Sequence, residues 1–303
     1  MSQTDESSKN APANRQPAPS RSIFSVPVPI KQLFDRFPLL TYPVNDVPQR
    51  APRHRNAHVL YVFTTAEGAR DGAPSYNPAC LKWQAYLKFS KLPFRIASAN
   101  NHASPSGSLP FLLPLSPEPH KQTQPVPSGK LQRWAMNNSE KAIEEPGDVR
   151  YEAYSSLLDH RIRRAWLYSV YLSHNATTIA EPLYILPTSR NPFVRLTIAR
   201  ELRLAAETEL LTFSSIDNDA TLHSQAEEAF AALDMLLAKD AWFFGASRPG
   251  LFDATVFAYT HLLLDDTLGK GWIDTRLRDA LMSRKSLVRH RDRILAEYFS
   301  EAS

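Results

Sequence analysis

The chain changes its periodicity at Asp148, and that change restricts its fold more than any other feature. Upstream, short β-branched and aromatic runs alternate with turns and a single helical stretch. Downstream, apolar residues recur only at helical spacing. The run His58 to Thr64 reads as a buried strand. Asn77-Pro78 supplies an N-cap and a first-turn proline, which opens a helix to about Ser90 after a polar loop. Pro93 ends that helix, Phe94 to Ser98 reads as a second strand, and Gly107 to Leu113 as a third, entered through Pro110. Prolines at 114, 117, 119, 125 and 127 mark 114–129 as an exposed loop.

Beyond Asp148 one face carries Tyr154, Leu157, Leu158, Ile162, Ala165 and Leu172, and a second carries Val194, Ile198, Leu202, Ala206, Leu210 and Phe213 behind an Asn191-Pro192 start. Ser224 to Glu227 forms a capping box ahead of Phe230, Leu233 and Leu237. A fourth helix follows Pro249-Gly250, and a last one runs from about Arg276 to Phe299. The expected class is α+β: a strand-helix-strand unit and a proline-led strand within 58–147, then an all-helical half over 148–303. With 43% apolar residues the chain can supply cores for both.

Two segments precede this body. Residues 1–21 are mostly Ser, Pro, Ala, Asn and Gln, a composition that cannot offset the entropy of ordering, so a disordered leader is expected. Residues 22–57 differ, because large apolar side chains recur among prolines: Ile23, Phe24, Val28, Ile30, Leu33, Phe34, Phe37, Leu39 and Tyr42. Such a stretch is too apolar for a free tail and too proline-rich for a long helix. These nine residues form a candidate partner-binding arm; an intrachain strap would satisfy the same physics.

Charge is unevenly placed. Before His58 eight basic residues face four acids, giving +4, and from Arg276 to Arg293 seven face Asp279 and Asp292, giving +5. Arg284, Lys285, Arg289, Arg291 and Arg293 are therefore candidate electrostatic contacts to phosphates, lipid or an acidic partner, against the plainer reading of a solvated helix face. No reading module for nucleic acid accompanies them, and Trp134 and Trp166 fall in helical segments, so no nucleic-acid partner is expected.

Several chemistries are unsupported. The lone cysteine, Cys80, excludes an intramolecular disulfide framework. His54 and His58 are four apart but straddle the arm and a strand, with no third ligand nearby. Among nine glycines there is no phosphate-binding loop motif. No cofactor or metal is expected. There is neither an Arg-rich, acid-poor presequence nor an apolar run long enough to span a bilayer, so any membrane association should be peripheral. Asn137-Asn138-Ser139 and Asn175-Ala176-Thr177 match the glycosylation sequon, a pattern common by chance.

The element order resembles the glutathione-transferase superfamily, a thioredoxin-like domain followed by a helical bundle, with Leu109-Pro110 where a cis-proline belongs. Trp242 to Gly245 and Gly250-Leu-Phe-Asp-Ala254 resemble its helical capping element, with glycine at the cap instead of Ser or Thr. Within that superfamily the chain resembles the metaxins, and specifically the fungal metaxin-like subunit of the mitochondrial sorting and assembly machinery (SAM complex). The residues are Val28-Pro29-Ile30, Phe34 to Leu39, Tyr42-Pro43, Cys80 to Leu87, Asn100 to Ser104, Ser106 to Leu112, Tyr151 to Tyr154 and Arg164 to Tyr168.

The resemblance implies a non-catalytic subunit on the cytosolic face of the mitochondrial outer membrane. It would dock on the integral β-barrel core of that machinery, beside a second metaxin-like subunit, and assist β-barrel precursor proteins. The competing reading is a glutathione-dependent transferase or thiol redox enzyme using Cys80, which lies in a helix first turn where a thiol pKa is lowered. Against it, glutathione-binding members place an acid-serine pair after the cis-proline, and here Pro127 precedes Ser128.

Overall fold

The computed structural model describes residues 57–115, 123–212 and 218–300. The leader, the nine arm residues and Phe213 lie outside the described residues. Strand β1 (His58–Val62) buries Val59, Leu60 and Val62 and forms the centre of a mixed sheet. It pairs in parallel with β2 (Phe94–Ser98), His58 opposite Phe94 and Val62 opposite Ser98. On its other side it runs antiparallel to β3 (Phe111–Leu113), with Tyr61 stacked on Phe111 at 4.5 Å. The Leu109–Pro110 peptide bond is cis. Among the described residues the sheet has four strands in the order β2-β1-β3-β4.

The fourth strand corrects the reading of 114–129 as a single loop. Val126–Pro127 is β4, paired on Leu112 and Phe111, and helix α3 (Ser128–Asn138) starts immediately behind it. Pro127 stands at the sheet edge, where a missing N–H leaves no partner unsatisfied. The polar loop before Asn77 also contains a helix, α1 (Ala66–Asp71). The Thr65 hydroxyl caps it through the Gly68 amide, and Gly72 closes it at φ 70°.

The parallel crossover is α2 (Pro78–Phe89), whose cap Asn77 accepts from the Cys80 amide at 3.2 Å. It packs most extensively against α7 (Leu251–Leu264), so the central helix of each half forms the core between them. Tyr86, Phe230, Phe243 and Phe257 are among the largest fully buried side chains there.

The helical half opens with a continuous helix, α4. It runs through Tyr151–Leu157, a π turn at Leu158–Ile162, Arg163–Leu167 and a second π turn at Tyr168–Leu172. Each wide turn rotates the following residues around the axis. The buried positions accordingly become Leu158, Ile162, Arg164, Ala165, Trp166, Ser169 and Val170, while Leu172 ends half-buried.

Helix α5 (Pro192–Leu211) departs further from its sequence reading. Of its supposed inner face only Ala206 is buried, whereas Phe193 is 79% and Leu196 69% exposed. Helix α5 packs mainly against α4 and the π turn at Glu181–Ile185, and Phe193, Leu196 and Leu204 remain exposed. Helices α6 (Asp219–Leu237), α8 (Arg276–Met282) and α9 (Lys285–Tyr298) complete the bundle. Among the described residues no helix is long and apolar enough to cross a membrane.

Candidate functional site

In this architecture a reactive thiol would act from the first turn of α2, where Cys80 stands. Its side chain is fully buried, and burial pushes the thiol up to about 12, against smaller opposing contributions from hydrogen bonds with the Phe63 backbone and Ser75. At pH 7 the thiolate is then about one part in 10⁵.

Three side chains hold the loop ahead of α2 against this first turn. Ser75 donates from Oγ to the Phe63 carbonyl at 2.6 Å. Gln84 accepts from the Ser75 amide at 2.9 Å and donates to the Ala73 carbonyl at 2.9 Å, which pins the loop ahead of α2 onto the helix. Over this loop sits Tyr184, from a π turn at Glu181–Ile185 in the helical half. Its hydroxyl accepts from Asn77 Nδ2 at 3.2 Å and donates to the Tyr76 carbonyl at 3.3 Å. Its ring lies edge-on to Phe63 and Tyr76, both at 5.3 Å, with Tyr171 at 5.9 Å. Burial raises the phenols of Tyr76 and Tyr171 to about 12, so all remain neutral donors.

The other places where a thiol peptide would bind are also committed. The Leu109 amide, next to the cis-proline, donates to Asn101 Oδ1 at 3.0 Å. Ser128 is the first residue of α3, but that helix has no side-chain cap and no acid in its first turn. Beside α2 a crevice of about 60 Å³ is lined by Lys82, Tyr151, Asp159, Leu251 and Phe252 among others. Ligand pockets run to roughly 300 Å³ or more, so this one has room for water only. Burial pulls the Lys82 amine down, opposed by the nearby charges of Asp159 and Glu145.

Glu145 belongs to a cap that no local motif announces. Gly250 precedes α7, and Asp253 Oδ2 accepts from its amide at 3.0 Å, which is the half of the capping box visible in the sequence. Glu145 Oε1 accepts from the Leu251 amide at 3.0 Å across 106 positions, so the linker supplies a second cap. A Cβ at Gly250 would lie 3.1 Å from Glu145 Oε2, so glycine leaves the space that the carboxylate fills. The other Asp253 oxygen accepts from the Phe243 amide at 3.1 Å and lies 2.9 Å from His290 Nε2, fully buried.

The remaining candidates separate. Arg284 pairs with Glu227, Arg291 with Asp292, and Arg293 donates to the Ala241 carbonyl with its guanidinium 5.5 Å over Trp242. Lys285 and Arg289 meet no carboxylate among the described residues. His58 accepts from the Leu115 amide through Nδ1 at 2.8 Å and packs edge-on to Trp134, which assigns it a structural role; His54 is outside the described residues. No cluster of three metal-ligating side chains occurs among the described residues. Asn175, the second sequon, is fully buried. It holds the Ile273 and Asp274 amides at 2.8 and 2.9 Å, so a glycan cannot be attached there without unfolding that contact.

Family models match three stretches of the chain. The N-terminal domain of glutathione S-transferase matches residues 78–177, and its C-terminal domain 226–294. A glutathione transferase from Phanerochaete chrysosporium covers 79% of this chain with 96% of its own length, at 13% identity and a TM-score of 0.52, a likeness of fold alone. A third model, described as SAM35, a subunit of the SAM complex, matches residues 24–80, spanning the arm, β1 and the start of α2. The mitochondrial outer membrane import complex protein metaxin of Arabidopsis thaliana is 23% identical over 233 residues, 76% of this chain and 70% of that protein. The chain has a glutathione-transferase-like fold and is similar to the metaxins. In this chain Cys80 is buried against a loop, bonded to it through Ser75, that Gln84 and Tyr184 hold in place. Sequence reasoning quoted Gln84 within a motif but assigned it no role; Tyr184, 104 positions from Cys80, carried no local signal.

Proposed function

We propose that the chain is a non-catalytic, peripheral subunit of the mitochondrial outer-membrane import machinery. In the finer reading it docks on the integral β-barrel core of the sorting and assembly machinery from the cytosolic side. There it sits next to a second metaxin-like subunit and assists the insertion of β-barrel precursors. The observation that carries the reading is the buried Cys80, whose thiol is raised to about 12 under a lid of tyrosines. A scaffold whose reactive position is sealed can still offer its outer surfaces, and the SAM35 model matches a stretch that includes the apolar, proline-rich arm.

The alternative, a glutathione-dependent enzyme using Cys80, draws support from the cis-proline and from Ser128 at the head of α3. It requires Tyr184 and Ser75 to release the thiol. Isolation of the native protein under mild detergent distinguishes the two. Copurification with an integral β-barrel protein, and release from membranes by alkaline carbonate, are expected. A free dimer with saturable micromolar glutathione binding would reverse the reading.

A further inference from the structure

The cations at and within α9 are unequal. Arg284 at its N-cap and Arg291 and Arg293 within it have partners on neighbouring elements or on the helix itself, whereas Lys285 and Arg289, one helical turn apart, have no carboxylate among the described residues. Arg289 lies along its own helix, donating to the Lys285 carbonyl and to Ser286 Oγ, both at 3.3 Å, so its charge is positioned but not neutralised. Between this pair and the end of α8 runs a surface groove of about 370 Å³ lined by Met282, Lys285, Val288 and Arg289. Met282 is 54% exposed, a large apolar side chain held in water beside two uncompensated charges. The wall behind the groove is fixed, because Asp234 Oδ1 accepts from the Ser286 and Leu287 amides at 2.8 and 3.3 Å and Leu287 is fully buried.

These features define what fits. Covering Lys285 and Arg289 without counter-charge would desolvate two cations for no gain, so an occupant must carry anionic groups about one helical turn apart. The methionine and valine between them favour an apolar side chain, and methionine adapts to varied shapes. A lipid surface is broad and would meet the rim of a concavity between two helices, whereas a peptide side chain can enter it. We propose that this groove receives an acidic peptide segment of a partner protein, seating one bulky apolar side chain on Met282 and Val288 with carboxylates at Lys285 and Arg289. The inference rests on the docking reading above and specifies the chemistry of the partner's surface.

The test uses the full chain and a fluorescent synthetic peptide with Leu and Phe placed between Glu and Asp residues. Three comparisons accompany it: the same peptide with Gln and Asn for the acids, the same with Ser for Leu and Phe, and phosphatidylcholine vesicles containing phosphatidylglycerol. The first peptide is expected to bind saturably and more weakly as salt rises. Lys285→Gln with Arg289→Gln should weaken it about tenfold, the loss of two partly screened charge contacts. Lys285→Glu with Arg289→Glu should transfer the preference to a Lys-bearing peptide, which shows that the variant is folded and the groove intact. Absence of saturable binding, equal binding of the neutral peptide, or equal binding by the Gln variant overturns the proposal. So does vesicle binding that the Gln variant abolishes while the peptide does not bind, which would assign the face to anionic lipid. Copurification with a β-barrel is read independently. Its persistence without peptide binding refutes the groove alone, and its loss refutes the docking reading.

Discussion

Replacing Glu145 and Gly250 in turn and together tests whether α7 is capped from a distance. Glu145→Ala removes the acceptor of the Leu251 amide at 3.0 Å and the partner of the Tyr151 hydroxyl at 3.4 Å. A lost helix cap costs about 1 to 2 kcal/mol; relief from burying a carboxylate, which raises the Glu145 pKa, lowers the net to about 1 kcal/mol. Gly250→Ser introduces a hydroxyl of the usual capping type, and the backbone at φ −114° accepts it, but its Cβ presses on Glu145 at 3.1 Å. Alone it should be neutral or destabilising by up to about 1 kcal/mol. In the double variant the obstruction is gone and serine can cap the helix, so the pair should be more stable than the sum of the singles by about 1 kcal/mol. Urea unfolding followed by tryptophan fluorescence measures all four proteins. Additivity within about 0.3 kcal/mol would refute the shared cap, as would equal destabilisation by Gly250→Ser in both backgrounds.

Other expectations follow from the same core and surfaces. His261 is held to about 4, mainly by burial and secondarily by Arg291, with Asp265 opposing; it lies on the Phe257 ring. Its folded pKa is depressed, so the stability it contributes is present above about 6.5 and is lost as pH falls through about 4; His261→Leu should flatten that acid limb by up to about 3 kcal/mol in pH-dependent urea melts. An unchanged limb would exclude this histidine as its source. Cys80 should react with an alkylating agent at pH 7 about a thousandfold more slowly in the native chain than in urea, because its thiol moves from 9.0 to about 12 on burial; comparable rates would mean that the tyrosine lid opens freely. Deleting residues 22–44 should weaken partner binding more than about tenfold, with little change in the thermal midpoint of the body. Unchanged binding with a collapsed midpoint would show an intrachain strap instead.

What could be read in the sequence followed locality. Strands β1 and β2 as separate runs, the Asn77-Pro78 helix start and the Asp253 half of the α7 cap all depend on residues within a few positions of each other, and each was legible, whereas the parallel pairing of the two strands, 36 positions apart, was not. The features that decide the site do not have that property. Tyr184 reaches Asn77 across 107 positions and Glu145 reaches Leu251 across 106, so neither leaves a periodic or motif signal. The π turns of α4 hide for another reason, since apolar residues on a helix that widens twice still resemble an ordinary amphipathic pattern. The stripe from Val194 to Leu210 proved mostly unburied, Ala206 excepted, because apolar residues at helical spacing predict burial only when a neighbour is present to cover them. The basic cluster of α9 was visible as charge, but which members lacked partners depended on acids from α6 and on the helix's own geometry.

The bond between Tyr184 and Asn77 also bears on attempts to engineer this scaffold. The tyrosine belongs to the helical half and the asparagine to the sheet half, so the lid over Cys80 is also a latch between the two halves. Placing an acid at Pro127 would supply an anchor for a thiol peptide but would leave the sulfur beneath an aromatic roof. Removing that roof would expose the thiol only by loosening the seam that unites the molecule. Reactivity and cohesion are therefore opposed at one side chain, and a designer seeking either would have to rebuild the contact between the halves first.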